Sequence, residues 1–482
     1  MNPSIEYSQI APAIIVFTAA IVGVLVESFA PAGVRAKVHA VLGGGAVVAA
    51  LIAVAVLADA GSRPRAVLAG SVADDGLSLA LQGLLLISTL PALALMVARY
   101  DSLTHTEAVP LTLFALGGML AFVSAQDWLT LFVALEVFSL PLYLLCALAK
   151  RRGLLPLEAA LKYFLMGAFA TGILLFGMAL LYGATGTFYI SAIGTAVAEP
   201  ANASLLPMLY IGILLMIIGL GFKVSAAPFH FWTPDVYEGT PTFFTAFMST
   251  VVKTAGFAAF LKLLAQALPA AQGFWMPTIV AMGALTLLLG NIGAAVQNSA
   301  KRMLAYSSVS HAGYLFIGLV ASNGQLTGSP AASGIFFYSL AYSIATVLSF
   351  GVLKLVADQR HREDYTGLNG LAKQNPLLAF TFTVSMLSLA GIPLTGGFLG
   401  KFFIFAAAVE KGYIGLVVFA VVMSMVSIYY YLKPVIAMYL QPADETAAPI
   451  EVDGMQRVTL VVLALLTILL GTVAPVFLSG LL

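Results

Sequence analysis

Apolar runs, each closed by a short cluster of proline, glycine or charge, recur along the whole 482-residue chain. A helix needs about 20 mostly apolar residues to cross a bilayer. The breaks mark out fourteen candidates, near 10–30, 38–57, 77–98, 108–125, 128–149, 158–184, 205–225, 242–268, 276–296, 302–321, 332–356, 375–405, 413–438 and 457–478. Only Gln126–Asp127 separates the fourth run from the fifth. The leading segment MNPSIEYSQ holds no basic residue, so the first run lacks the charged start of a signal peptide and reads as a retained span. The pattern predicts an all-α polytopic membrane protein with fourteen transmembrane helices.

Composition agrees: 61% of residues are hydrophobic and 9% charged, against about 25% charged in soluble domains. A net charge of +1 gives no basic footprint for nucleic acid. The single cysteine, Cys146, lies in an apolar run and rules out a disulfide framework or a CxxC motif. Basic residues near span ends set orientation. Loops after odd-numbered spans hold Arg35, Lys37, Arg99, Lys150, Arg151, Arg152, Lys301, Arg302, Arg360, Arg362, Lys373, Lys433 and Arg457; those after even-numbered spans hold only Arg63, Arg65 and Lys411. Thirteen against three places the odd loops in the cytoplasm and both termini on the periplasmic, outer side.

The other six basic residues are Lys162, Lys223, Lys253, Lys262, Lys354 and Lys401, all within spans and all lysine. A desolvated lysine can lose its proton; arginine effectively cannot. Lysine alone suits a protein in which protons come and go. A charge at mid-bilayer costs about 2.5–3.5 kcal/mol on insertion scales, so it faces a bundle interior or a wet cavity unless it snorkels to the headgroups. Snorkelling suits Lys262 and Lys354, near their span ends, whereas Lys253 in "AFMSTVVKTAGFAAFL" is central. Glu136, in "WLTLFVALEVFSLPLYLL", is the one clearly deep carboxylate; Glu27 and Glu158 lie near span ends and are expected to be solvated. A nearby cation would keep Glu136 ionised, and Lys223 is a partner of the right kind.

"GFKVSAAPFHFWTPDVYEGTP" breaks the seventh span beside Lys223, and "SLAGIPLTGGFLGKFFIF" breaks the twelfth beside Lys401. Helices broken inside a bilayer are tolerated where they line protein or water, and their recurrence at matching places marks transporters built from repeats. The separation of five spans predicts two five-helix repeats, spans 4–8 and 9–13. His311, in "LAYSSVSHAGYLF", lies among Ser307, Ser308, Ser310 and Tyr314, a stripe able to hold a water chain or to join helices by hydrogen bonds. His230 follows the first break, near Trp232 and Asp235, and could cap freed backbone groups as easily as carry protons. His39, His105 and His361 are expected in solvent, and Trp128 and Trp275 in the interfacial aromatic belt.

"LEVFSLPLYLL", "GFKVSAAPFHFWTPDVYEGTP", "KRMLAYSSVSHAGYL" and "LSLAGIPLTGGFLGKF" resemble the antiporter-like subunits of proton-pumping NADH–quinone oxidoreductase, respiratory complex I. The likeness runs over nearly the whole chain. Within that family it is nearest the N branch: SLPLY follows the glutamate, position 401 is lysine, and no lateral helix of the L type follows span fourteen. The resemblance implies that the two repeats are inverted half-channels. Glu136 and Lys223 would form a modulating pair, Lys253 a central relay, Lys401 the lead to the outer side and His311 part of a hydrated axis. It implies domains at 1–107 (three helices), 108–268 and 269–440 (the repeats) and 441–482 (a last helix). It further implies no cofactor or metal in this chain, NADH and quinone bound by partner subunits, and contacts with subunits M, K, J and L and with lipid in the bacterial inner membrane. A subunit of a multisubunit sodium–proton antiporter is the alternative, and a spacer whose charges only fix helix register is a third reading.

Overall fold

The computed structural model describes residues 7–59, 66–73, 75–97, 107–148, 153–198, 203–322, 329–443 and 450–473. Arg63, Arg65, Arg99, Lys150, Arg151, Arg152, His105 and both chain ends, on which part of the orientation tally rests, lie outside these residues. Helices occupy every predicted position. They are α1 (Ala11–Phe29), α2 (Ala32–Asp59), α3 (Gly76–Val97), α4 (Ala108–Ser124), α5 (Trp128–Ala147), α6 (Leu155–Thr185), α7 (Ile190–Ala198), α8 (Leu206–Lys223), α9 (Trp232–Gly239), α10 (Thr242–Phe247), α11 (Lys253–Leu261), α12 (Gln272–Ala295), α13 (Ala300–Ser322), α14 (Pro330–Arg360), α15 (Leu371–Gln374), α16 (Pro376–Ala390), α17 (Gly396–Glu410), α18 (Ile414–Leu440) and α19 (Gly454–Thr472). Twelve helical spans are long and apolar enough to cross a bilayer; α4 and α16 are shorter apolar helices. The chain is a multi-pass, all-α membrane protein. The short α7 and a two-stranded hairpin, Ala66–Val67 with Val72–Ala73, answer to no apolar run.

Local chemistry accounts for the boundaries. Asp127, in the three-residue link between α4 and α5, accepts from the Thr130 amide at 2.8 Å and so caps α5. That bond fixes the least certain boundary in the sequence. Between α10 and α11, Met248–Val252 forms a π-helical turn, and Lys262–Ala267 forms a second one after α11. Such turns insert a residue into a continuous helix and often sit at functional positions. The 242–267 helix is buried except near its end at Ala265 and Gln266, as are nearly all of α13 and α14, whereas α1, α2, α18 and α19 turn most of their surface outward. Phe29, Phe169 and Met425 are among the large apolar side chains left exposed, as suits lipid or a partner subunit.

Hydrogen bonds sort the connections by parity. At one end, Lys301 donates to the Glu238 and Thr240 carbonyls, Ala300 N to Glu363 O, and Asn375 Nδ2 to Ile450 O. These join the links after spans 7, 9, 11 and 13. At the other end, Gln126 N donates to Ser71 O, Ile190 N to Gln126 O, and Lys262 Nζ to Ala125 O, joining the links after spans 2, 4 and 6 to the end of span 8. Odd links meet odd links and even links meet even ones, as an unbroken alternation of crossings requires.

Candidate functional site

Both predicted breaks are present, and each frees backbone groups that side chains then engage. The first separates α8 from α9. Trp232, the first residue of α9, reaches back with Nε1 to Phe222 O at 3.1 Å, Thr233 Oγ1 meets Ser225 Oγ at 2.7 Å, and Ala227 N donates to Thr286 Oγ1 at 2.9 Å. Lys223 ends α8 and is buried. Its ammonium donates to Ser139 Oγ at 2.8 Å and lies 4.6 Å from the Phe138 ring centre; Tyr163 OH is 3.5 Å away. Tyr163 in turn stacks on Trp232 at 4.6 Å. Glu136 shares α5 with Ser139, three residues earlier and so on the same face. It lies within electrostatic range of Lys223, yet no ion pair within 4 Å joins the two among the described residues, and Glu136 Oε1 is buried without a hydrogen-bond partner. The serine hydroxyl holds the amine where the sequence suggested the carboxylate would.

The second break separates α16 from α17. Gly391 turns the chain with φ +82°, and its amide and that of Ile392 both return to Leu387 O. Lys401, on α17, reaches back over the break: its ammonium donates to Leu389 O at 3.2 Å, Ala390 O at 3.0 Å and Ser424 Oγ at 3.0 Å. It therefore sits on the carbonyl end of α16, where a helix favours positive charge. Tyr314 faces the same ammonium, with its ring centre at 4.5 Å. At position 397 an added Cβ would lie 1.9 Å from Ser388 O, so only glycine allows the two half-helices this approach.

Between the breaks runs a buried polar axis. Lys253 Nζ donates to both the carbonyl and the hydroxyl of Ser308, and Tyr342 lies 6.0 Å from it, ring centre to nitrogen. The His311 ring is 4.6 Å from Tyr342, and its nitrogens meet Tyr338 OH at 2.5 Å and Tyr431 OH at 3.0 Å. Ser307 bonds Tyr431 as well. Tyr314, 5.8 Å from His311 between ring centres, completes the line to Lys401. The buried hydroxyl of Ser343 has no protein partner, and such a group is where ordered water belongs. Ser139, Tyr163, Tyr338, Tyr342, Ser424 and Tyr431 were not singled out in the sequence. The tyrosines at 338 and 342, four apart on α14, carried a helical-face signal that a membrane tyrosine does not announce.

Four expectations are corrected. Lys262 does not snorkel: it is fully buried, with its ammonium 2.7 Å from Ala125 O. Lys354 is buried too and pairs with Asp358 one turn on. His39 is fully buried against Glu27, 3.1 Å away, and Glu27 also pairs with Arg35 at 3.0 Å, because α1 and α2 fold together there. Trp128 and Trp275 are core residues rather than belt residues, with no exposure at all. Lys162 and Glu158 are half-exposed members of an ion network with Asp235, Arg302 and Glu238 at the odd-link end; Asp235 lies 2.9 Å from both Lys162 and Arg302. His230 is buried with Nδ1 unpaired, and Cys146 packs against Met248 Sδ at 3.8 Å.

A family model described as the NADH:quinone oxidoreductase/Mrp antiporter transmembrane region matches residues 125–427. That stretch holds both breaks and all five amine and imidazole or carboxylate sites of the axis. The chain is 41% identical to NADH-quinone oxidoreductase subunit N of Rhodococcus opacus, over 97% of this chain and 94% of that one. It superposes on a chain of respiratory complex I from Thermus thermophilus with a TM-score of 0.80 and 35% identity, covering 96% and 97% of the two. A chain of the Mrp complex from Dietzia shares the fold at a TM-score of 0.84 but only 22% identity, over 97% and 95%. The chain belongs to the NADH-quinone oxidoreductase subunit N family.

Proposed function

We propose that this protein is a membrane-arm subunit of a proton-translocating NADH–quinone oxidoreductase, moving protons along Glu136, Lys223, Lys253, His311 and Lys401 while partner subunits carry out the redox chemistry. The single observation that carries the reading is the buried row of titratable and hydroxyl groups from Lys253 through His311 to Lys401 at the second break, with buried Lys223 at the first. In this proposal residues 1–107 and 441–482 flank two inverted half-channels at 108–268 and 269–440. Subunits M, K, J and L and lipid surround them, NADH and quinone bind elsewhere, and both termini face the outer side of the cell membrane. The antiporter reading is less supported: it draws on the shared description of the family model and on a fold shared at 22% identity.

The chemistry follows from burial. An amine out of water favours its neutral form, and a nearby carboxylate favours the ammonium. Glu136 lies close enough to act on Lys223 but is not locked to it, so a small change in their separation alters the proton affinity of the amine. Ser139 and Tyr163 hold the amine in place through that change. Lys253 passes a proton through Ser308 and water toward His311, whose two tyrosine partners can each donate or accept. Lys401 receives it over the carbonyl end of α16. Redox-driven pumping in vesicles tests the pair: Glu136→Gln and Lys223→Ala should each stall pumping in an assembled complex, and the double variant should be little worse than the worse single one. Losses that multiply would show that the two act independently.

A further inference from the structure

Lys262 is a fully buried amine that the axis from Glu136 to Lys401 does not use. It opens the second π-helical turn, as Lys253 directly follows the first, so each interruption of this central helix coincides with a lysine. Its ammonium rests on Ala125 O at the carbonyl end of α4. The same end collects other buried polar groups. Ser78 Oγ donates to Val123 O at 3.1 Å and Gln82 Nε2 to Ser124 Oγ at 2.6 Å, so three consecutive residues of α4 and its cap are held by polar side chains. Three atoms there are buried without a protein partner: Gln126 Nε2, Trp128 Nε1, and Gln266 Oε1 four residues beyond Lys262. Two donors and an acceptor beside a buried cation provide what an ordered water chain needs. Gln126 and Gln266 are themselves partly exposed, so the cluster reaches the surface. That surface is the even-link end, beside Ser71 and Ile190, opposite the ion network of Asp235 and Arg302. Nine residues separate Lys253 from Lys262, about 13 Å of helix rise. Alongside that length packs α3, which buries Ser88 with an unpaired hydroxyl.

We propose that Lys262 is a proton-handling amine that gives the first half-channel its own outlet to the even-link side, independent of Lys401. The inference rests on the proton-translocating reading above. Capping the carbonyls of α4 is the competing, purely structural role, and arginine separates the two. Lys262→Arg keeps the positive charge and the cap but cannot release a proton. In an assembled complex it is expected to lower the proton-to-electron ratio by this outlet's share, the route through Lys401 staying open; pumping at the parental ratio would overturn the outlet. A second measurement does not depend on arginine fitting. In Lys262→Cys, a membrane-impermeant methanethiosulfonate added at the outer face of oriented vesicles should label the new thiol many-fold faster than Cys146, with mass spectrometry of this chain as the readout. No labelling above Cys146 from the outer face would overturn the outlet. Lys253→Ala distinguishes the layers: parental pumping there would sink the proton reading itself. Lost pumping there, with Lys262→Arg unaffected and the thiol unlabelled, would sink the outlet alone.

Discussion

Replacing Gly391 with alanine tests whether the position of Lys401 over the second break matters. Gly391 has φ +82°, and an added Cβ would lie 2.9 Å from Lys401 Cδ and 3.1 Å from its Nζ. A left-handed backbone costs an L residue about 1–2 kcal/mol, and forcing a methyl into a packed site costs about 1–3 kcal/mol more. The expected destabilisation is about 2–5 kcal/mol, unless the lysine swings away. Its swing would surrender bonds to the Leu389 and Ala390 carbonyls, and hydrogen bonds to charged groups are worth about 1.5–3 kcal/mol each. The lysine is the flexible partner and should yield first. The consequence is a several-fold loss of pumping with the complex still assembled. Gly412 supplies the control: its φ is +85° and nothing lies within 4 Å of an added Cβ. Gly412→Ala therefore carries only the backbone cost, about 1–2 kcal/mol. Pumping in vesicles and thermal stability of the purified complex should be measured for both. Equal effects of the two substitutions would refute the idea that Lys401 works from where it sits.

Two further outcomes are expected. Tyr431→Phe removes the hydroxyl that joins His311 Nε2 to Ser307; it should slow pumping more than Phe at Tyr365, which lies off the axis, and equal rates would detach His311 from proton transfer. A cysteine at Leu154, an exposed residue beside the basic loop before α6, should be labelled only from the cytoplasmic face, and labelling only from the other face would invert the topology.

What the sequence made legible follows from what lipid forbids. The helix positions and both breaks could be read because apolar length, proline and glycine act locally, within one segment. Lys223, Lys253 and Lys401 stood out because a charge in an apolar run is expensive wherever it ends up. The fate of Lys262 could not be read, since it depends on Ala125, 137 residues away in sequence. His39 was misplaced for a similar reason: its loop-side position says solvent until Glu27 folds over from the preceding helix. The tyrosines around His311 were hidden by their ordinariness, a hydroxyl on an aromatic ring being unremarked in a membrane helix until its partner is known. Ser139 shows the subtlest gap. The sequence offers a carboxylate for the amine, but three residues of helix decide that a hydroxyl arrives first.

The two least apolar spans, 242–267 and α13, are also among the most deeply enclosed, and the first carries two lysines. Released alone into lipid, that helix would bear two charges at about 2.5–3.5 kcal/mol each, while a leucine returns only about 0.3–0.6 kcal/mol. During synthesis it must therefore leave the insertion machinery against a surface already in place. Such surfaces precede it in the chain: α3, α4 and α8 all pack along α11, and α4 presents the carbonyl that receives Lys262. The N-terminal helices thus have a use in biogenesis quite apart from any role in transport. They form a prebuilt wall, with a polar notch already cut, on which the charged centre of the molecule can settle.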